Sequence, residues 1–310
     1  MDILASYLQH LCGKENVKTN EPLSRWTTFR VGGPARYFAT VDHKNTLLRL
    51  LSALNYLEAP YFILGLGANV LASDHGFDGV VIKLAFHHIE HNDTFLYADA
   101  GAKLGAVVNY ARDHELTGLE WATGIPATIG GGVYMNCGAF DHCLADSIVM
   151  VDALIDGEIK TLTRNQLNFG YRHSLFMEQP AVILGAYFRL EHGQKDKITA
   201  QMQTIIEKRR RHPHEPSAGS VFKRPRDNFY VGKVIEDLGL TGYQVGDAQI
   251  SPKHCNFIVN TGNATANDIL KIIYHVQDLV EQKTGVLLET EIIFLGKIDE
   301  NSIKNTSANN

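Results

Sequence analysis

Apolar residues recur at helical spacing in six stretches of the chain. Residues 2–12 place Ile3, Leu4, Tyr7, Leu8 and Leu11 on one side of a short helix, and residues 45–57 do the same with Leu47, Leu48, Leu50, Leu51 and Leu54. Further helices are predicted over 103–114, ending near Gly118, over 196–211, and over 231–238, closed by Gly239. The longest spans 267–283, with Ile269, Leu270, Ile272, Ile273, Val276, Leu279 and Val280 on a common side. Between these lie short apolar or alternating runs that read as strands: 61–64, 80–84, 95–98, 148–155, 158–162, 181–190 and 286–295. The polar residues 299–310 are expected to be disordered. The mixture predicts an α+β fold. His192-Gly193-Gln194-Lys195-Asp196 interrupts the apolar pattern and suggests a domain boundary near 196.

Two glycine-rich segments break this pattern. Gly65-Leu66-Gly67-Ala68-Asn69-Val70 follows a strand, as phosphate-binding loops often do, but the third glycine of a dinucleotide fingerprint is missing. Ser73-Asp74-His75-Gly76 then reads as a turn rather than a helix, so a Rossmann domain is disfavoured. The second segment is Gly124-Ile125-Pro126-Ala127-Thr128-Ile129-Gly130-Gly131-Gly132, followed by Asn136, Gly138 and Ala139. Consecutive glycines let main-chain amides approach a ligand without side-chain obstruction. Either loop alone fits tight packing and turns. Together they suggest a grip on two sides of a nucleotide cofactor with a diphosphate in its middle.

Composition narrows the class. The chain has 310 residues, 45% hydrophobic and 20% charged, and a formal charge of −5, which disfavours general nucleic-acid binding. No run suits a membrane helix, and residues 1–10 lack the features of a secretory signal, so a cytoplasmic setting is expected. Cys12, Cys137, Cys143 and Cys255 have no metal-binding spacing, and the scattered histidines lack supporting ligands; no metal is expected.

Against that acidic balance, Lys208-Arg209-Arg210-Arg211 and Lys223-Arg224 flank Pro216-Ser217-Ala218-Gly219-Ser220-Val221-Phe222. A buried core has no reason to place Ser, Gly and Ser together there. A site that brings a hydroxyl and backbone amides to an anion does, although a solvated Ser/Gly loop beside a basic helix face remains open on these residues alone.

Taken in order, these segments resemble the UDP-N-acetylenolpyruvoylglucosamine reductase family, flavoenzymes of bacterial cell-wall precursor synthesis. The resemblance also covers Val31-Gly32-Gly33-Pro34-Ala35, Tyr171-Arg172-His173-Ser174, Lys253-His254-Cys255-Asn256-Phe257-Ile258-Val259-Asn260 and Leu288-Glu289-Thr290-Glu291-Ile292, running from about residue 20 to 296. Ala68 stands where that family usually has Ser, and Ala127 where it usually has Gly.

The resemblance implies a two-part FAD-binding domain of the vanillyl-alcohol-oxidase/p-cresol-methylhydroxylase type, over 1–90 and 91–196, and a substrate-binding domain over 197–293. Residues 294–310 would form a strand end and tail. FAD would be held non-covalently by Gly65, Gly67, Ala68, Asn69, Val70, Gly124, Ile125, Pro126, Thr128, Gly130, Gly131, Asn136 and Ala139. NADPH would be the co-substrate and a UDP-sugar enolpyruvyl ether the substrate, bound through Arg210, Arg211, Arg224 and Lys233. Arg172 and Glu291 would stabilise an enolate, and Ser220 would supply a proton. A monomer is expected, without nucleic-acid or membrane partners. The interval between Arg172 and Ser220 is too short for the extra tyrosine-bearing loop of one subclass, so the chain looks like the shorter one. A flavin-dependent oxidase on the same cofactor-binding fold is the alternative.

Overall fold

A computed structural model describes residues 3–298. The chain forms two compact units. The first takes the described residues up to Lys18, with Phe38–Leu66 and Val80–Arg210; the second takes Thr19–Tyr37, Gly67–Gly79 and the chain from Arg211 onward. This division differs from the expected regions 1–90, 91–196 and 197–293. The reason is local. The helix expected to open the third region, Lys195–Arg209, buries Ile198, Met202 and Ile205 and packs on the helix Leu104–Asp113 and the turn Glu120–Ala122, so it belongs to the first unit.

The first unit is built on a five-stranded antiparallel sheet in the order Glu158–Thr163, Ile148–Ile155, Val182–Arg189, Phe95–Asp99, Ile89–Asn92. Val151, Ala153, Ala186, Phe188, Leu96 and Ala98 are buried along it, and the short helix Ile129–Tyr134 packs on its Val182–Arg189 and Phe95–Asp99 strands. Elsewhere in the same unit Tyr61–Leu64 pairs in parallel with residues 80–83, from Tyr61↔Val80 to Leu64↔Lys83. The helix Lys44–Tyr56 buries Leu47, Leu50, Leu51 and Leu54, which is the predicted stripe save Leu48.

The second unit has its own four-stranded antiparallel sheet, ordered Ser217–Ser220, Phe257–Asn260, Ala248–Ile250, Gln244–Val245. The helix Ala266–Thr284 lies on it and buries Ile269, Leu270, Ile272, Ile273, Val276 and Val280. Phe29, Val31 and Leu71, from early segments, complete this core. Thr265 and Asp268 cap the helix start reciprocally, and the Asp74 carboxylate accepts from the Ala266 and Asn267 amides at 2.8 and 3.0 Å. Gly285, at φ 69°, closes it.

The expected strand 286–295 needs correction. Only Ile293–Leu295 is a strand, paired in parallel with Val70–Ala72. The apolar run before it is irregular because its residues serve other partners: Leu288 and Ile292 are buried, and the Leu288 carbonyl accepts from Gln277 Nε2 at 2.8 Å. The strands Val17–Pro22 and Pro34–Val41 have no counterpart in the apolar pattern, since polar residues interrupt them. The expected disorder over 299–310 lies outside the described residues. Among the described residues, no helix is long and apolar enough to cross a membrane, and no three His, Cys, Asp or Glu side chains converge as metal ligands.

Candidate active site

In the first unit Gly65 follows the strand Tyr61–Leu64, and its carbonyl accepts from Lys83 Nζ at 2.9 Å. A Cβ on Gly65 would stand 2.7 Å from Thr128 Oγ1, so this glycine lets the first glycine segment reach the second. Ile125 and Ala127 donate their amides to the Ala122 and Ile125 carbonyls, which folds Gly124–Ala127 into a tight turn around Pro126. Gly124 itself sits at φ 80°.

Gly130, Gly131 and Gly132 form the first turn of the helix Ile129–Tyr134 rather than a loop. Their amides serve the protein. Gly130 donates to Ala100 O at 2.8 Å, Gly132 to Thr128 O at 2.8 Å, and Gly131 to the capping Thr128 Oγ1 at 3.3 Å. The run of glycines suggested amides turned to a ligand; the helix gives these residues a different use. Gly131 is exposed, and a side chain there would meet no protein atom closer than Thr128 Oγ1 at 3.4 Å. The glycines make room.

In the second unit the first segment continues as Gly67–Val70. Gly67 has φ 64°, and a Cβ on it would collide with the Trp26 carbonyl. Its own carbonyl accepts from the Thr28 amide. The amides of Gly67, Ala68 and Asn69 have no acceptor among the described residues, so three adjacent N–H groups are left for an anion. Val70 enters the strand with Ile293–Leu295. Asn69 Nδ2 donates to the Glu291 carbonyl at 2.9 Å, so this loop also fixes a predicted catalytic position.

Glu291 is held against the Ser220 segment in that unit. Its amide donates to Val221 O at 2.7 Å, Phe222 bridges Thr290, and Lys223 donates to Glu289 O at 2.9 Å. Ser220 ends the strand Ser217–Ser220 opposite Phe257 and is half-buried; its hydroxyl has no partner among the described residues. Gly219, at φ 75°, makes the bend before it. Asn256 locks the next turn of chain: Oδ1 accepts from Phe222 N at 3.1 Å and Nδ2 donates to Phe222 O at 3.0 Å, both buried. One backbone pairing thus links the segments that carry two of the three predicted catalytic residues.

Arg172 lies in the first unit, on a turn closed by Gly170 and His173, which exchange backbone hydrogen bonds. It has φ 53°, a left-handed conformation that a residue with a long side chain adopts only when its surroundings impose it. Its Nη2 donates to Gly138 O at 2.8 Å, and its guanidinium lies over the Tyr171 ring. Asn136 holds this turn. Buried and at φ 41°, it donates from Nδ2 to Gly170 O at 2.8 Å and accepts at Oδ1 from Ala145 N at 3.0 Å. Its side chain therefore orients the Arg172 turn, leaving only backbone for a cofactor. Ala139 pairs with His142 in a two-residue ladder beside it. Asn136→Ala leaves the buried Ala145 N–H without its acceptor and removes one of two donors to Gly170 O, and is expected to cost about 1–3 kcal/mol, read as a lower denaturant midpoint.

The basic residues separate into different roles. Arg210 is exposed and pairs with Glu207 at 2.8 Å. Arg211 is exposed in the second unit, and Arg224 lies over the Tyr230 ring. Lys233 pairs with Asp237 at 2.8 Å and Glu236 at 3.4 Å, and the Asp237 hydrogen bond holds its pKa above the usual value. Lys208 and Arg209 instead lie over the Phe140 ring. The sequence motifs single out neither Phe140 nor Arg209 as a site residue; only the helical spacing of Arg209 from Met202 and Ile205 shows that it points inward.

A family model for the C-terminal domain of UDP-N-acetylenolpyruvoylglucosamine reductase matches residues 211–295, and one for an FAD-binding domain matches residues 35–163. The UDP-N-acetylenolpyruvoylglucosamine reductase of Caldanaerobacter subterraneus is 40% identical over 300 residues, covering 96% of this chain and 99% of its own length. That of Limosilactobacillus reuteri is 43% identical over 290 residues, covering 91% and 96%. The crystal structure of the Thermus caldophilus reductase superposes with a TM-score of 0.78 at 35% identity, over 88% of this chain and 97% of that one.

Proposed function

This chain belongs to the UDP-N-acetylenolpyruvoylglucosamine reductase family of FAD-dependent oxidoreductases, and from that premise we propose that it uses NADPH to reduce UDP-N-acetylglucosamine enolpyruvate to UDP-N-acetylmuramate, a peptidoglycan precursor, in the cytoplasm. The observation that carries the reading is the half-buried Ser220 hydroxyl, without a partner among the described residues, on a segment whose next residue, Val221, is paired with Glu291 through the backbone. An oxidase would have no need of a proton donor on that segment.

The residues fit a flavin nucleotide. Gly131 leaves open space in the first unit, and the free amides of Gly67, Ala68 and Asn69 in the second suit its diphosphate. These residues, with Gly65, Val70, Gly124, Ile125, Pro126, Thr128, Gly130, Asn136 and Ala139, would hold it without a covalent bond. Bound FAD supplies two-electron transfer between NADPH and the substrate.

The chain's own residues handle charge and protons. As the vinyl group is reduced, negative charge develops on the carbon next to the substrate carboxylate and spreads into it. Arg172 offers a planar, permanently charged fork to that carboxylate. Glu291 helps there only as the protonated acid or through a bond to a cation, since a free carboxylate would repel an enolate. Ser220 gives its proton to the carbon. Arg210, Arg211, Arg224 and Lys233 are the proposed contacts for the sugar nucleotide, with Arg210 and Lys233 first leaving their acidic partners.

Anaerobic mixing tests this. NADPH should bleach the yellow protein, and the enolpyruvyl sugar nucleotide should restore its colour, one equivalent per site. Restoration by oxygen alone, with no response to the sugar nucleotide, would favour the oxidase.

A further inference from the structure

The helix Lys195–Arg209 buries Ile198, Met202 and Ile205 against the first unit. Their spacing of four and three places the next inward position at 209. Packing alone would call for an apolar side chain there, yet the residue is Arg209. Its Nε and Nη2 are buried and have no hydrogen-bond partner among the described residues. The nearest neighbours are not acids. The guanidinium carbon is 5.3 Å from the Phe140 ring centre, and Cδ and Nε lie 3.1 and 3.6 Å from where a Cβ on Gly124 would stand. A guanidinium cannot shed its charge to escape such a setting, and a buried ion without acceptors is strongly unfavourable. Buried polar groups of this kind are rare enough in folded proteins to require a reason.

We propose that Arg209 is a cofactor-binding residue whose buried Nε and Nη2 donate to an oxygen acceptor of bound FAD. Its surroundings identify the occupant. Gly124 and Phe140 both lie within the stretch 35–163 that matches an FAD-binding domain, whereas the match to the reductase C-terminal domain begins only at 211. Gly124, at φ 80° and without a side chain, lets the guanidinium come close to the turn Gly124–Ala127, and the Phe140 face steadies its plane while leaving its edge free. Two kinds of acceptor on FAD suit that edge, a flavin ring carbonyl and a diphosphate oxygen. The assignment rests on the chain being a flavoenzyme, as proposed above.

The test uses the purified protein stripped of FAD and retitrated, as wild type, Arg209→Met and Arg209→Lys. Met keeps the length and apolar stem while removing the buried charge. Arg209→Met should weaken FAD binding at least tenfold while the FAD-free protein melts at the wild-type temperature or above it, because the buried Nε and Nη2 make no protein hydrogen bond to lose and an unpaired buried charge is removed. Arg209→Lys should fall between the two in affinity, keeping the charge without the fork. A ring contact would also lower the midpoint potential of the flavin bound to Arg209→Met; a diphosphate contact would leave it unmoved, and either supports the assignment. Unchanged FAD affinity in Arg209→Met overturns it, whether the Michaelis constant for the sugar nucleotide rises or the melting temperature falls. Failure of the wild type to take up FAD would bring down the flavoenzyme reading as well, a pattern distinct from a variant that binds normally.

Discussion

Ser220→Ala is expected to remain folded and yellow, to be reduced by NADPH at close to the wild-type rate, and to be reoxidised by the enolpyruvyl sugar nucleotide slower by about 10²–10⁴-fold. The selectivity follows from the position. Ser220 ends a short strand, and its hydroxyl bonds nothing among the described residues, so removing it leaves no protein group unsatisfied. The backbone that holds the loop does not depend on that side chain: Asn256 clamps Phe222, and Glu291 donates to Val221 O. Reduction by NADPH needs no proton on the substrate carbon; the second half-reaction does. Ser220→Cys should keep more activity than Ala, because a thiol can still deliver a proton. Ser217→Ala is the control: Ser217 opens the same strand and meets Thr28 through its carbonyl, which the substitution leaves in place. Rapid-mixing absorbance of the flavin separates the two steps. Equal slowing of both would make Ser220 a structural residue and reject the proton-donor role.

Gly131→Val should yield a stable protein that is nearly colourless, with FAD affinity reduced by about two orders of magnitude or more. The protein has no objection to a side chain here. Position 131 is exposed, lies in a regular helical turn, and a Cβ would touch only Thr128 Oγ1 at ordinary distance. Replacing glycine, the β-branched residue costs no helix propensity, because Gly is the poorer helix former of the two. What it would occupy is the space the glycines leave open. Gly130→Val is a useful contrast, because a Cβ at 130 would press on Ala100 from 3.1 Å, so that variant should lose stability along with cofactor. Equilibrium titration with FAD, set beside thermal melting of the FAD-free chain, distinguishes the two. Normal affinity in Gly131→Val would place the cofactor elsewhere.

Much of this molecule is legible in its sequence, for identifiable reasons. The helices Lys44–Tyr56 and Ala266–Thr284 declare themselves because one face is buried and the other wet, and the latter carries its stop signal at Gly285. The sheet strands Ile148–Ile155 and Val182–Arg189 are apolar enough to be seen alone. Pro34–Val41 is not, since Arg36 and Thr40 face outward and its pairing is decided by distant residues. The run 286–295 misleads for the opposite reason: Leu288 and Ile292 are apolar because they fill a core, not because they form a ladder. At the site, the residue types of Ser220, Glu291 and Arg172 are readable from motif order. The function of Asn136 is not, because a buried amide bonding two backbone groups is defined by the turns it joins. Nor is that of the triple glycine, whose amides are consumed by a helix only tertiary packing starts.

The second unit borrows from the beginning of the chain. Phe29, Val31 and Leu71 sit in its core, Asp74 caps its longest helix, and Val70–Ala72 needs Ile293–Leu295 for its ladder. During synthesis from the amino end, Phe29, Val31 and Leu71 must therefore wait, unburied, while the rest of the first unit emerges and before the other residues of their core exist. The first unit has no such delay once Arg210 has left the ribosome. Assembly is thereby given a direction: the early-completed unit stands while apolar Phe29 and Leu71 stay exposed to chaperones and to neighbouring nascent chains, and only the segments that follow Arg211 release them from that hazard.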